Sequence, residues 1–191
     1  MKYSTTLARL ALASTAVLAA VPAFAQQAVV PAQSQITFVS KQMGVPVEGQ
    51  FRKFDAQVAF DPAKLATSRI AFTVDTGSAT LGVKESDAEL PKPIWFNVAK
   101  FPQATFQSTA IKALGGGKYE VAGKLAIKGS TQDVTVPVAM VQSGATTTAT
   151  GAFAIKRLAF KIGENEWADT SMVADEVQVK FKLALTGVGK I

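Results

Sequence analysis

The chain has 191 residues, with 20 Lys and Arg against 14 Asp and Glu, and contains neither Cys nor His. The two missing residue types remove disulfides, thiol nucleophiles, Ser-His-Asp and Cys-His catalysis, axial haem histidine and the usual zinc sites. The basic excess is scattered as single lysines rather than gathered into a patch, so charge alone points to no particular partner.

Residues 1–25 read as a cleavable secretory leader. Lys2 and Arg9 form its positive start, and Leu10 to Val21 is an apolar run broken only by Ser14 and Thr15. Ala23-Phe24-Ala25 then supplies the small residues expected before a cut at Gln26. The run is shorter than the roughly 20 apolar residues of a bilayer span. With no cysteine there is no lipobox. The mature chain is therefore expected in the periplasm, as 166 residues carrying 18 basic and 14 acidic side chains. That length suits one domain, 26–191, with a substantial core.

Beyond the leader the hydrophobic period is two, which predicts strands. Weak patterns cover 34–40 and 45–51. Phe54, Ala56, Val58 and Phe60 then share a face, followed after Asp61-Pro62 by Ile70, Phe72 and Val74. Residues 84–96 break the alternation. Lys84 to Leu90 is expected to form a short helix ahead of Pro91 and Pro93, as a plug or lid on a barrel. A strand at 103–112 leads into Gly115-Gly116-Gly117, a hairpin link. Tyr119, Val121, Gly123, Leu125 and Ile127 share the next face. Lys128-Gly129-Ser130 turns the chain into Val134, Val136, Val138 and Met140. Gln142 to Thr150 reads as a loop running into a strand at 146–157. The longest run, Val177, Val179, Phe181, Leu183 and Leu185, comes last. Roughly eight antiparallel strands with short connections make either a sandwich or an up-and-down barrel.

Phenylalanines and tryptophans recur through these strands. Core packing accounts for any single one. Together with Gly49, Gly123, Gly151 and Ala152, small residues that leave inner space, they also suit a lined cavity. Two acidic groups, Glu85, Asp87, Glu89 and Glu164, Glu166, Asp169, lack calcium-loop spacing and read as solvated loops and caps. Asp175 shares the apolar parity of the last strand, which places it at a barrel mouth, in an ion pair or beyond a bulge. Lys156 and Arg157 are either a surface pair or a contact for a polar or anionic ligand head. No metal and no cofactor are expected. Lysines interleaved with aromatics would suit single-stranded nucleic acid, but export argues against such a partner.

Several motifs stand in order. Gly49-Gln50-Phe51 with Phe54-Asp55-Ala56 is followed by Phe60-Asp61-Pro62, Leu65, Ser68, Ile70, Asp75 and Ser78. Asp87, Leu90, Trp95-Phe96-Asn97 and Phe101-Pro102-Gln103-Ala104-Thr105-Phe106 form a central signature, and Leu125 to Thr131 (LAIKGST) a hairpin signature. Over 33–187 this pattern resembles the YceI-like family of periplasmic, lipocalin-like polyisoprenoid-binding proteins. The chain departs from it at Gln35 and Met43, where many members carry histidines, and at Ser86, where many carry arginine.

The resemblance implies an all-β, eight-stranded antiparallel barrel with a short helix near 84–90, enclosing an elongated tunnel. It implies a binding protein rather than an enzyme. The ligand would be a polyisoprenoid, an isoprenoid quinone or a similar long-chain lipid. Candidate tunnel residues in the first half are Phe38, Met43, Phe51, Phe54, Phe72 and Leu90. Those that follow are Trp95, Phe96, Phe106, Phe153, Phe160, Trp167 and Phe181. Asp87, Arg157 and Asp175 are candidate head-group contacts. Two other readings stand beside this one. One is a filled barrel acting as an interaction or stress-response module. The other is an enzyme acting on a lipid head group, for which no nucleophile is evident. A transient membrane contact and a homodimer both remain open.

Overall fold

The computed structural model describes residues 27–191; the leader at 1–25 and its cut before Gln26 lie outside the described residues. The alternating sequence folds into strands β1 (Ala28–Val29), β2 (Gln35–Gln42), β3 (Val45–Phe51), β4 (Phe54–Ala59), β5 (Arg69–Asp75) and β6 (Ala79–Thr80). The short helix α1 (Lys84–Glu89) follows. The rest is β7 (Gln103–Gly115), β8 (Lys118–Ile127), β9 (Ser130–Ser143), β10 (Thr146–Lys156) and β11 (Glu176–Thr186).

All of these strands belong to one antiparallel sheet, in the order β4-β5-β7-β8-β9-β10-β11-β2-β3-β6, with β1 added beside β11. The sandwich alternative therefore falls. The expected count of eight is also low. The surplus arises from the two-residue strands β1 and β6, and from a ribbon that bends at Arg52-Lys53 and so counts twice, as β3 and β4. That corner is where the two ends of the sheet meet. The Arg52 N–H donates to the Ser78 carbonyl (3.2 Å) and the Asp75 N–H to the Lys53 carbonyl (3.0 Å). The Lys53 N–H donates to the Ser78 hydroxyl (3.0 Å). With these bonds the sheet curls into a barrel.

Three hairpins have two-residue loops in which both residues take positive φ: Met43-Gly44 (47° and 82°), Gly116-Gly117 (58° and 73°) and Lys128-Gly129 (48° and 77°). This geometry matches the right-handed twist of the flanking strands. It also corrects the place of Met43. At the tip of the β2–β3 hairpin its side chain is 78 % exposed and lines no cavity.

One end of the barrel is closed. The rings of Phe60 and Tyr119 meet edge to face at 5.2 Å, packed with Met140, Leu185 and Val188. The Gln27 side chain clamps this end: its amide donates to the Phe60 carbonyl (2.7 Å) and accepts from the Phe60 N–H (2.8 Å). The Gln142 amide reaches the carbonyls of Val188 (3.2 Å) and Gly189 (3.3 Å), which draws the C-terminal residues over the same end. Thr147, wholly buried here, has a hydroxyl without a hydrogen-bond partner among the described residues. The other end is covered in part by two irregular segments, 81–102 with α1 and 157–175, joined where the Gly163 N–H donates to the Ile94 carbonyl (2.8 Å).

Candidate functional site

The barrel encloses two chambers in series. Four strands each give one residue to the deep chamber and the next inward residue to the outer one: Ile36 then Phe38, Leu125 then Ile127, Phe153 then Ile155, Phe181 then Val179. Since inward residues on a strand recur about every 6.6 Å, the two chambers are successive stretches of one lumen. The deep chamber has a volume of about 140 Å³ and no polar side chain in its wall, which includes Phe72, Phe106, Phe153 and Phe181. The outer one, about 360 Å³, is walled by Phe38, Phe51, Leu90, Trp95, Phe96 and Trp167, with Ser40, Gln42, Ser86, Glu89 and Arg157 also contributing. An apolar cavity of roughly 150 Å³ stays dry and accepts a benzene-sized guest. The deep chamber is of that size and the outer one more than twice it.

Aromatic packing shapes the outer wall. Phe51 contacts Phe38 at 5.3 Å and Phe96 at 5.9 Å between ring centres, and Trp95 meets Trp167 at 5.5 Å. Three strand glycines make room for rings. Gly49 lies opposite Phe38 in the β2–β3 pairing and Gly151 opposite Phe181 in β10–β11. A Cβ at Gly49 would strike the Phe38 ring. One at Gly151 would strike the Phe181 ring and, at 2.6 Å, the Pro137 carbonyl oxygen. One at Gly123 would strike the Phe106 ring and the Gln107 carbonyl oxygen, each at 2.5 Å. The space that the small residues were expected to leave for a ligand is therefore taken by phenylalanine rings. Ala152 leaves none, because it is exposed on the outer face.

Two other expected lining residues sit elsewhere. Phe160 is 1 % exposed in the core under the mouth segments, and Phe54 packs half-buried against the deep cluster from the start of β4; neither lines a chamber.

The head-group assignments are corrected by the hydrogen bonds at the mouth. Arg157 is 2 % exposed. Its Nε donates to the Ala174 carbonyl (3.0 Å), Nη1 to those of Ile162 and Gly163 (2.8 Å each), and Nη2 to those of Trp167 and Val173 (2.6 Å each). A guanidinium has five N–H donors, so none is left for a ligand. Burial pulls its pKa down from the usual arginine range, and the charge of Asp175 works in the opposite direction. The Asp175 carboxylate accepts from the Leu158 N–H (3.0 Å) and lines neither chamber. Asp87 accepts from the Thr80 hydroxyl (2.5 Å) and the Leu81 N–H (2.6 Å), pinning α1 to the end of β6. Those two bonds hold its carboxyl below the ordinary aspartate value. All three residues build the mouth; of them only Arg157 lines the outer chamber, with every donor engaged.

Lys128 has the same structural role and was not singled out from the sequence. It is 6 % exposed; its ammonium donates to the carbonyls of Lys161 (2.5 Å) and Ile94 (3.5 Å) and to the Glu164 carboxylate (3.1 Å), tying the β8–β9 hairpin to both mouth segments. A lysine in a turn carries no signal for burial. Ser40 and Gln42 were legible: they continue the inward parity of Ile36 and Phe38 along β2.

With the geometry in place, relatives can be set beside it. The family model described as YceI-like domain matches residues 28–185. The crystal structure of BcnA from Burkholderia cenocepacia superposes with a TM-score of 0.79 at 52 % identity, covering 82 % of this chain and 98 % of that one. A polyisoprenoid-binding domain from Saccharophagus degradans has the same fold at 15 % identity, with a TM-score of 0.67 over 84 % of this chain and 98 % of the other. A UPF0312 protein of Azotobacter vinelandii is 34 % identical over 143 residues, 73 % of this chain and 74 % of the relative. A UPF0312 protein of Vibrio cholerae is matched over less, 59 % of this chain and 60 % of its own length, at 31 % identity. The match to the family model spans the curled sheet from β1 to the end of β11. The chain belongs to the YceI-like family.

Proposed function

We propose that the protein binds a long apolar lipid of the polyisoprenoid class, isoprenoid quinones included, and stores or carries it in the barrel lumen. The observation that carries this reading is the deep chamber, whose wall contains no polar side chain. Nothing there could hold a small polar metabolite, whereas a hydrocarbon needs no hydrogen bond. Each five-carbon isoprene unit buried contributes roughly 3–4 kcal/mol, set against association costs of about 4–15 kcal/mol. Several units in series are therefore required, which suits two chambers end to end better than either alone.

The reading is of a binding protein and not an enzyme. The two charged side chains that line the outer chamber are engaged, Arg157 with backbone carbonyls and Glu89 with Lys92. Its setting is the periplasm, reached through the leader at 1–25. At the mouth, Met43 (78 % exposed) and Met172 (45 % exposed) stand side by side, the Met43 N–H donating to the Met172 carbonyl (2.8 Å). This apolar rim supports brief contact with a membrane during loading or delivery.

Mass spectrometry of an organic extract of the protein purified from its native host tests the proposal. A long-chain isoprenoid at near-stoichiometric yield is expected, unchanged by EDTA. An extract without lipid, together with failure to take up prenyl probes, would return the molecule to the filled-barrel reading.

A further inference from the structure

The polar side chains that brace the mouth or line the outer chamber divide into two sets. One set is fully committed: all five Arg157 donors go to carbonyls, the Lys128 ammonium to carbonyls and Glu164, Asp87 to Thr80 and Leu81, and Glu89 to Lys92 (2.5 Å). The other set is the hydroxyls of Ser40 and Ser86 and the carboxamide of Gln42. These three side chains line the outer chamber, two from β2 and one from α1. None has a hydrogen-bond partner among the described residues. Every uncommitted polar side chain in the chamber lining is neutral, and the set offers both donors and acceptors. No lysine lines the chamber, and its one arginine has no free donor. The one carboxylate in the lining, Glu89, would repel an anion.

We propose that Ser40, Gln42 and Ser86 form a head-group subsite for a neutral, oxygen-bearing lipid head, a hydroxyl or a ring carbonyl, and that it discriminates against phosphate and carboxylate heads. This rests on the lumen holding the hydrocarbon tail. The tail would run past Phe38 and Phe51 into the apolar chambers, leaving the head at the level of Gln42. An anionic head brought there meets no free cation in the chamber wall. Desolvating a charge without a partner is far more costly than desolvating a hydroxyl.

The test compares geranylgeraniol, geranylgeranyl diphosphate, a prenyl quinone and the headless hydrocarbon, each with the same chain length. Each displaces a fluorescent apolar reporter from the full-length mature protein. The alcohol or the quinone is expected to bind about tenfold tighter than the hydrocarbon, the gain from two or three net hydrogen bonds. The diphosphate should bind at least about tenfold weaker than the alcohol. Whichever of alcohol and quinone binds tighter identifies the head. In Ser40→Ala/Gln42→Met and in Ser86→Ala the alcohol should fall towards the hydrocarbon, whose own affinity stays put. A diphosphate that binds as tightly as the alcohol, or variants that weaken alcohol and hydrocarbon equally, would overturn the subsite while leaving the lumen intact. If the hydrocarbon itself does not bind the wild-type protein, the lipid-binding proposal fails and the subsite with it.

Discussion

The two ends of the barrel solve opposite problems with opposite means. The deep end is regular sheet: Val121, Val136, Val138 and Leu183 face inward because every second residue must, and packing alone holds them. The mouth is irregular chain, with carbonyls that no strand partner satisfies, and it is held by two buried cations, Arg157 and Lys128. A cation on a long side chain can collect several carbonyls pointing in different directions. A hydrophobic side chain cannot. A buried charge in this molecule therefore marks where the backbone leaves the sheet, and is no sign by itself of a ligand.

If that contrast is right, the largest effect comes from cutting the mouth's brace. Arg157→Met leaves five carbonyls without donors, and should lower unfolding stability in urea by at least about 3 kcal/mol. A loss below about 1 kcal/mol would mean that water replaces the guanidinium and that the mouth needs no brace.

Next come the glycines, which sharpen the contrast between ring-filled wall and open lumen. Gly151→Ala meets both the Phe181 ring and a backbone oxygen, so the strand itself must shift. Overpacking of this kind costs about 1–3 kcal/mol. At Gly49→Ala the nearest atoms all belong to the Phe38 ring, which can swing into the outer chamber. Its expected signature is weaker lipid binding with a melting temperature close to that of the wild type. Equal destabilisation by both changes would show that Phe38 is as fixed as Phe181.

A gain is expected at the closed end. Thr147→Val removes a buried hydroxyl that has no partner and keeps its shape, so stability should rise by about 1 kcal/mol. An unchanged or lower denaturation midpoint would place an ordered water on that hydroxyl.

The smallest effect is electrostatic and confined to acid. Aspartate titrates near about 3.9 in an unfolded chain, and folded Asp87 lies below that because Thr80 and Leu81 donate to its charged form. Its contribution is present in full above the unfolded value and is lost as pH falls through the folded one. Asp87→Asn should flatten this limb of the stability–pH curve without abolishing it. Asp169, lowered by bonds from Ser171, contributes to the same limb. A variant curve parallel to the wild type down to the acid transition would remove Asp87 from its pinning role.

How much of this the sequence disclosed follows the same division. Period-two alternation located the long strands and most of the lumen wall, because strand geometry converts parity into direction, and its interruption marked the α1 segment. It failed where geometry is not periodic. Met43 falls between the strands read at 34–40 and 45–51, and a side chain at a hairpin tip has no parity to fix its direction. Arg157 and Asp175 read as head-group candidates because their partners, five carbonyls from residues 162–174 for Arg157 and the Leu158 N–H for Asp175, belong to an irregular segment whose path no pattern encodes. The three glycines were recognised as leaving space, but which neighbouring ring fills it depends on strand register, and register is set by pairing across the sheet.

The Gln27 clamp on Phe60 also fixes a polarity. β11 runs from the mouth at Glu176 to the closed end at Thr186, roughly 33 Å at strand rise, and Gln27 sits at the far pole from the opening. Whatever precedes Gln27 is joined to the barrel there. A barrel tethered to a membrane through that segment would hang with its mouth turned away from the bilayer, like a cup held by its base. Severing such a tether would do more than release the molecule: it would free the barrel to turn its mouth towards the bilayer.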